Sequence, residues 1–176
     1  MMILVMGGAN SGKSDLAEDL ALCGGYLRRY YIATMRVMDE EGRLRRERHR
    51  AKRAGKGFET LEIPYRIDVA PDIMTDKKNC SVILECVANL VGNAMHEPEW
   101  SGRLVCASPE TIDELTDHIM GLITDLASQV GQLVVVSYVA DEKDKEKADD
   151  KTRLYLSVLE TVNKRLSRIA DKVYIK

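Results

Sequence analysis

Short apolar runs alternate along this chain with longer stretches in which apolar residues return every third or fourth position. Ile3-Leu4-Val5-Met6 is uninterrupted and brief, as a strand covered on both faces requires. A helix follows through Asp15 to Leu22, and Cys23-Gly24-Gly25 stops it. Tyr30-Tyr31-Ile32-Ala33-Thr34 predicts a second strand, and Asp39 to Lys56 a charged helix closed by Gly55 and Gly57. Phe58 to Pro64 reads as extended, because proline disfavours helix immediately before it. Ser81 to Cys86 predicts a third apolar strand, Leu133 to Ser137 a fourth, and Val173-Tyr174-Ile175 a last one. Among these, Ile112, Leu115, Ile119, Leu122 and Leu126 mark a helix that starts at Ser108-Pro109-Glu110. Leu154, Val158, Val162, Leu166 and Ile169 mark another. Strands alternating with helices predict an α/β fold whose mostly parallel sheet is covered on both sides. No repeat or low-complexity linker interrupts the 176 residues, so residues 1–176 are expected to form a single domain.

Composition adjusts this reading only slightly. Aromatic residues make up 5% of the chain, so aliphatic side chains must fill most of the core. A net charge of −2 gives no general attraction to nucleic acid or to an anionic membrane. The first apolar run is too short for a signal peptide, and no later run reaches spanning length. Cys23, Cys80, Cys86 and Cys106 lack metal-ligand spacing and the density of small secreted domains, so reduced thiols and a cytoplasmic location are expected.

Chemistry enters at Gly7-Gly8-Ala9-Asn10-Ser11-Gly12-Lys13-Ser14, a Gly-x-x-x-x-Gly-Lys-Ser loop between the first strand and the first helix. Gly7 and Gly12 are expected to take backbone angles closed to other residues, so that successive N–H groups form an anion nest. The nest falls at a helix N-terminus, where unpaired N–H groups and the helix dipole favour phosphate. Lys13 would reach the β- and γ-phosphates, and Ser14 would offer its hydroxyl to Mg²⁺. A nucleoside triphosphate, ATP or GTP, is the expected ligand.

Between Arg43 and Lys56 lie eight arginines and lysines, with His49 among them. Three readings stand side by side. One is a solvated helix face balanced in part by Glu40, Glu41 and Glu47. Another is a nucleic-acid patch, although no aromatic residue is interleaved for base stacking. The third is a polyphosphate clamp in which arginines hold oxygens and His49 acts chemically.

Taken together, these motifs resemble the bifunctional adenosylcobinamide kinase / adenosylcobinamide-phosphate guanylyltransferase family nearly end to end. Ile3 to Ser14 resembles its opening, and Tyr31-Ile32-Ala33-Thr34 its second strand, with Asp39 and Glu41 resembling the acids that follow. Arg45-Arg46-Glu47-Arg48-His49-Arg50 with Arg53 resembles its histidine element, with Arg46 where an aliphatic residue is usual. Thr60-Leu61-Glu62-Ile63-Pro64, Leu84-Glu85-Cys86 with Asn93, and the run Arg153, Tyr155, Asn163, Ala170, Asp171, Val173 resemble later pieces.

The resemblance implies a P-loop NTPase (RecA-like) three-layer fold and two activities. A kinase step would place a γ-phosphoryl group on the aminopropanol hydroxyl of adenosylcobinamide. A guanylyltransferase step would then attach GMP through a covalent intermediate on His49, a nucleophile able to attack the α-phosphorus in line. The implied nucleotide-binding set is Gly7 to Ser14 with Thr34, Arg53, Glu62 and Glu85; Lys13 and His49 would serve catalysis, and Ser14 and Glu85 would hold Mg²⁺. A homo-oligomer, often a trimer, is implied too.

One departure keeps two rivals open. After its fourth strand the family carries S-N-E-V-G, where this chain has Ser137-Tyr138-Val139-Ala140-Asp141 and then the charge-rich Glu142 to Lys151, expected to be a solvated loop. A kinase that has lost guanylyl transfer and a non-catalytic nucleotide-binding regulator therefore stand beside the bifunctional enzyme. Other expectations complete the reading. Without nucleotide, Glu85 could be a buried acid paired with Lys13; Cys86 is a small buried side chain; His96 and His118 are on the surface; Asn163 contacts substrate or a neighbouring subunit.

Overall fold

The computed structural model describes residues 1–176. In chain order its elements are β1 (Met2–Gly7), α1 (Lys13–Cys23), β2 (Arg28–Ala33), α2 (Glu40–Arg53), β3 (Phe58–Glu62), α3 (Ala70–Ile73), β4 (Cys80–Glu85), α4 (Val87–Met95), α5 (Pro98–Ser101), α6 (Pro109–Gln129), β5 (Gln132–Tyr138), α7 (Glu142–Glu146), α8 (Asp150–Ile169) and β6 (Lys172–Ile175). The six strands form one sheet in the order β3-β2-β4-β5-β1-β6, and every pairing is parallel. All strands therefore end on the same side, where the loops that carry polar chemistry gather. A single strand, β5, separates β1 from β4, the arrangement of RecA-like P-loop folds.

Strand periodicity assigns the two faces. Ile3 and Val5 turn toward α1 and meet Ala17, Ala21, Tyr31, Ile83, Val134 and Val136. Met2, Leu4 and Met6 turn the other way, into a core of 33 buried residues shared with α4, α6 and α8. The expected three-layer α/β architecture is present. Helix α2 buries no apolar side chain, and its single buried residue is Arg53. Charge pairs dock it instead: Lys56 just beyond the helix to the buried Glu18, Lys52 to Asp15, and Arg46 and Arg50 to Glu62. No helix is long and apolar enough to cross a membrane.

Several expectations need correction. The stretch from Glu142 to Lys151 is not an irregular loop. Asp141 and Asp144 make a reciprocal capping box that starts α7, and the Asp149 carboxylate accepts from Thr152 N to start α8. The predicted 39–56 helix is shorter, with Asp39 as its N-cap and Gly55 at φ 81° beyond its end. Helix α4, absent from the sequence reading, begins directly after β4 and buries Val87, Ala88, Leu90, Val91, Ala94 and Met95. His118 is half-buried: its Nε2 lies 2.8 Å from the Tyr65 hydroxyl, and its ring leans on Trp100. His96 is exposed as expected, at the C-terminal end of α4.

Candidate functional site

The loop after β1 is shaped by three residues with three different constraints. Gly12, at φ 80°, sits at the N-cap of α1, a left-handed conformation that favours glycine. Asn10 also enters the left-handed region at φ 56°, which its short polar side chain tolerates. Gly7 does not take a positive φ, contrary to the sequence reading; there the reason is space. A Cβ on Gly7 would lie 2.5 Å from Ser11 Oγ and 2.8 Å from the backbone oxygen of Lys176. No side chain caps α1, so its first N–H groups stay available to an anion.

Lys13 folds back over the loop and donates to the Gly8 carbonyl at 2.8 Å. It does not pair with Glu85, which corrects one of the expectations for that acid. Glu85, half-buried at the end of β4, is held by two hydroxyls instead. Ser14 donates to its Oε1 at 2.6 Å, and Tyr31 donates to its Oε2 at 2.6 Å.

Helix geometry sorts the charges of α2 into stripes. Arg45, Arg48, His49 and Lys52 share one face and line a cavity of about 740 Å³ together with Ala9, Asn10, Lys13 and Glu85. Arg46, Arg50 and Arg53 share the adjoining face. Arg46 and Arg50 pair with the Glu62 carboxylate at 3.1 and 2.6 Å, and the Arg53 guanidinium lies 3.6 Å from the Tyr31 ring centroid. A smaller cavity of about 210 Å³ continues from the large one, lined by His49, Arg53, Glu62, Glu85 and Asn89 among others. The large cavity has four lysines and arginines in its wall and a single acid, Glu85, so its field favours a polyphosphate.

Thr34 is elsewhere. It is fully buried, its hydroxyl donating to the Cys86 carbonyl at 2.8 Å while accepting from the Cys86 N–H at 2.7 Å. Asn93 reaches the same joint, donating to Thr34 O and Pro64 O at 2.7 Å each. Burial pushes the Cys86 thiol up to about 11, in keeping with a packed side chain rather than a nucleophile. Asn163 is a buried brace, accepting from Ser137 Oγ at 2.6 Å and donating to Tyr138 O at 2.9 Å.

The sequence reading missed Tyr138, Tyr155 and Asn89, which line the large cavity opposite α2. The Tyr138 hydroxyl donates to Asp144, and that bond pushes its pKa up to about 12. Tyr155 enters the sequence reading only as one of the residues that resemble the family, with no place in the site. Asn89 lies on the helix that was not foreseen.

A loop made for phosphate oxygens, faced by a helix that turns its cations and an imidazole the same way, suits moving a nucleotide's phosphorus onto an acceptor. Fold and site together define a P-loop nucleotide-dependent transferase. Within that class the chain belongs to the CobU family, cobinamide kinase / cobinamide phosphate guanyltransferase, which it matches over residues 3–176. It is 31% identical over 186 aligned positions to the bifunctional adenosylcobalamin biosynthesis protein CobU of Salmonella typhimurium, spanning 99% of this chain and 94% of that protein. The protein of that name from Escherichia coli is 41% identical over 99 residues, 55% of this chain and about half (51%) of its own length. Among solved structures, the flagellar accessory protein FlaH of Methanocaldococcus jannaschii aligns with 92% of this chain and 67% of its own, at 12% identity and a TM-score of 0.41.

Proposed function

We propose that this chain phosphorylates adenosylcobinamide and then transfers GMP from GTP to the product through a covalent intermediate on His49. The observation that carries this is that His49 and Lys13 line the same cavity of about 740 Å³. In the first step the aminopropanol hydroxyl attacks the γ-phosphorus, loses its proton and releases a nucleoside diphosphate. In the second, His49 attacks the α-phosphorus of GTP and releases pyrophosphate. The cobinamide phosphate oxygen then attacks the same phosphorus and frees the imidazole.

The loop from Gly7 to Ser14 cradles the phosphates through backbone N–H groups, and Lys13 exchanges the Gly8 carbonyl for phosphate oxygen. Ser14 Oγ and the Glu85 carboxylate, already 2.6 Å apart, are hard oxygen donors of the kind Mg²⁺ takes when it keeps waters and substrate phosphates as its other ligands. Bound there, Mg²⁺ would neutralise charge on the phosphates. Arg45, Arg48 and Lys52 offset the charge that moves onto the leaving pyrophosphate. Glu62 lines the smaller cavity, and its carboxylate, now paired with Arg46 and Arg50, is an acceptor of the kind that suits the N–H donors on the guanine edge. Thr34 serves indirectly, fixing the end of β4 from which Glu85 projects. Four free cysteines are in keeping with a cytoplasmic enzyme, and a homo-oligomer, a trimer by family resemblance, is part of the reading.

A rival reading, a kinase without guanylyl transfer, is favoured by one observation. Asp141, nearest the place of the family's glutamate, spends its carboxylate on the α7 N-cap. Incubation with α-labelled GTP separates the two. The bifunctional enzyme acquires an acid-labile label that cobinamide phosphate removes, and His49→Ala lowers labelling at least about a hundredfold while γ-phosphoryl transfer persists. Phosphorylation with no covalent label would leave the kinase alone. Light scattering on the same samples should read about three times 19.8 kDa.

A further inference from the structure

Tyr31 touches both halves of this site, and neither proposed step uses it. It comes from β2, on the sheet face toward α1, and is only 3% exposed. Its hydroxyl occupies Glu85 Oε2 at 2.6 Å while Ser14 occupies Oε1 at 2.6 Å, so the carboxylate is fixed from both sides. Its ring lies 3.6 Å from the Arg53 guanidinium and meets Phe58 edge-on at 6.3 Å.

Arg53 is the last residue of α2 and stands one helical turn beyond His49. It is 6% exposed, no carboxylate lies within ion-pair reach, and its Nε has no hydrogen-bond partner. A desolvated guanidinium so placed depends on the ring face for its charge stabilisation. The other docking contacts of α2 and the residues just past it reach α1 through Lys52 and Lys56 and Glu62 of β3 through Arg46 and Arg50, and none of them reaches Glu85.

We propose that Tyr31 is a positioning residue with two separable functions: its hydroxyl orients Glu85 for the metal beside Ser14, and its ring seats Arg53 and so sets His49 over the phosphate cavity. This rests on the function proposed above. The hydroxyl half concerns metal use in both steps; the ring half concerns guanylylation of His49 alone. Without the hydroxyl, Glu85 Oε2 loses its fixed donor, and the carboxylate must pay for its own ordering when the ion binds. Without the ring, Arg53 is left buried and unpaired, and the end of α2 must move to solvate it.

The test uses the full chain and compares Tyr31→Phe, Tyr31→Leu and Arg53→Met. Mg²⁺ half-saturation is measured both from the Mg²⁺-dependent rise in melting temperature at fixed GTP and in the phosphorylation assay, beside the single-turnover rate of His49 labelling from α-labelled GTP at saturating Mg²⁺. Tyr31→Phe should raise Mg²⁺ half-saturation about tenfold and leave labelling within about twofold. Tyr31→Leu should show the same metal shift and slow labelling by about ten- to a hundredfold. Arg53→Met should slow labelling comparably with unchanged Mg²⁺ half-saturation, and it carries the ring half if Tyr31→Leu fails to fold. A merely structural role would move both readouts together in every variant, and that result overturns the inference. An unshifted metal response in Tyr31→Phe overturns the hydroxyl half. If wild-type protein takes up no acid-labile label, the function proposed above fails; if it labels normally and the variants do not split, only this inference fails.

Discussion

Gly7 and Gly8 are neighbours in the phosphate loop, yet only one of them is required by packing. A methyl on Gly7 would collide with Ser11 Oγ and with the backbone oxygen of Lys176, whereas nothing lies within 4 Å of a Cβ on Gly8. Gly7→Ala should therefore destabilise the nucleotide-free protein by about 1–3 kcal/mol, the usual penalty for forcing a methyl into filled space. Gly8→Ala should stay within about 0.5 kcal/mol, like other open surface substitutions. Urea melts of the two variants beside wild type check this, and equal losses would show that the loop is held differently. The motif already fixes Gly7 and leaves Gly8 free, but the sequence reading gave Gly7 the wrong reason, an unusual backbone angle, because one of the two colliding atoms comes from Lys176, far along the chain. His118 was misread for a similar reason. Its place beside an apolar stripe said surface, but Tyr65 and Trp100 come from segments that no local periodicity links to it.

Strands and helices divide by how their docking is encoded. Five of the six strands were apparent as apolar runs, and the sixth, β3, as an extended segment, because strands in a covered parallel sheet need little else. Helix α4 escaped since its residues continue the apolar run of β4, and periodicity cannot place a boundary inside such a run. Helix α2 was visible, but its purpose stayed open among three readings, because a count of charges does not say which face each one takes. Folding sorts them, and the polyphosphate reading gains from Arg45, Arg48, His49 and Lys52 turning together. The joint between β2 and β4 was not foreseen in this form. Thr34 resembled a nucleotide contact, but its hydroxyl closes the backbone of Cys86, next to Glu85. Thr34→Val keeps the branch and removes both bonds, leaving the Cys86 N–H unpaired while its C=O keeps the bond from Leu90 N at 3.1 Å. We expect a loss of about 1–3 kcal/mol in urea unfolding, restored in large part by Thr34→Ser. Phosphorylation should fall alongside, as Glu85 loses the fixed strand end behind it.

One sheet runs through the entire molecule, and the site sits on the ends of the strands at its centre. The larger core draws β1, β2, β4 and β5 together with α4, α6 and α8, and the smaller one joins the same strands to α1. No element has a core of its own, so we propose that residues 1–176 unfold as one cooperative unit. A ligand bound at the ends of β1 and β4 should then stabilise all of it rather than one part. At a hundredfold excess over its dissociation constant, GTP with Mg²⁺ should add about 2.7 kcal/mol, or roughly 5–10 °C in the melting temperature of a chain this size. Removal of Mg²⁺ by EDTA should shrink the shift, and Lys13→Ala should abolish it while leaving the ligand-free melt near wild type, since Lys13 is half-buried and spends its ammonium on a loop carbonyl. The calorimetric trace should keep one peak throughout, with calorimetric and van't Hoff enthalpies agreeing. Two resolved peaks would mean that the α2 face, docked by ion pairs and a single buried arginine, melts apart from the sheet. In that case the histidine would visit the phosphates only part of the time, and labelling rates should then fall with salt as the pairs are screened.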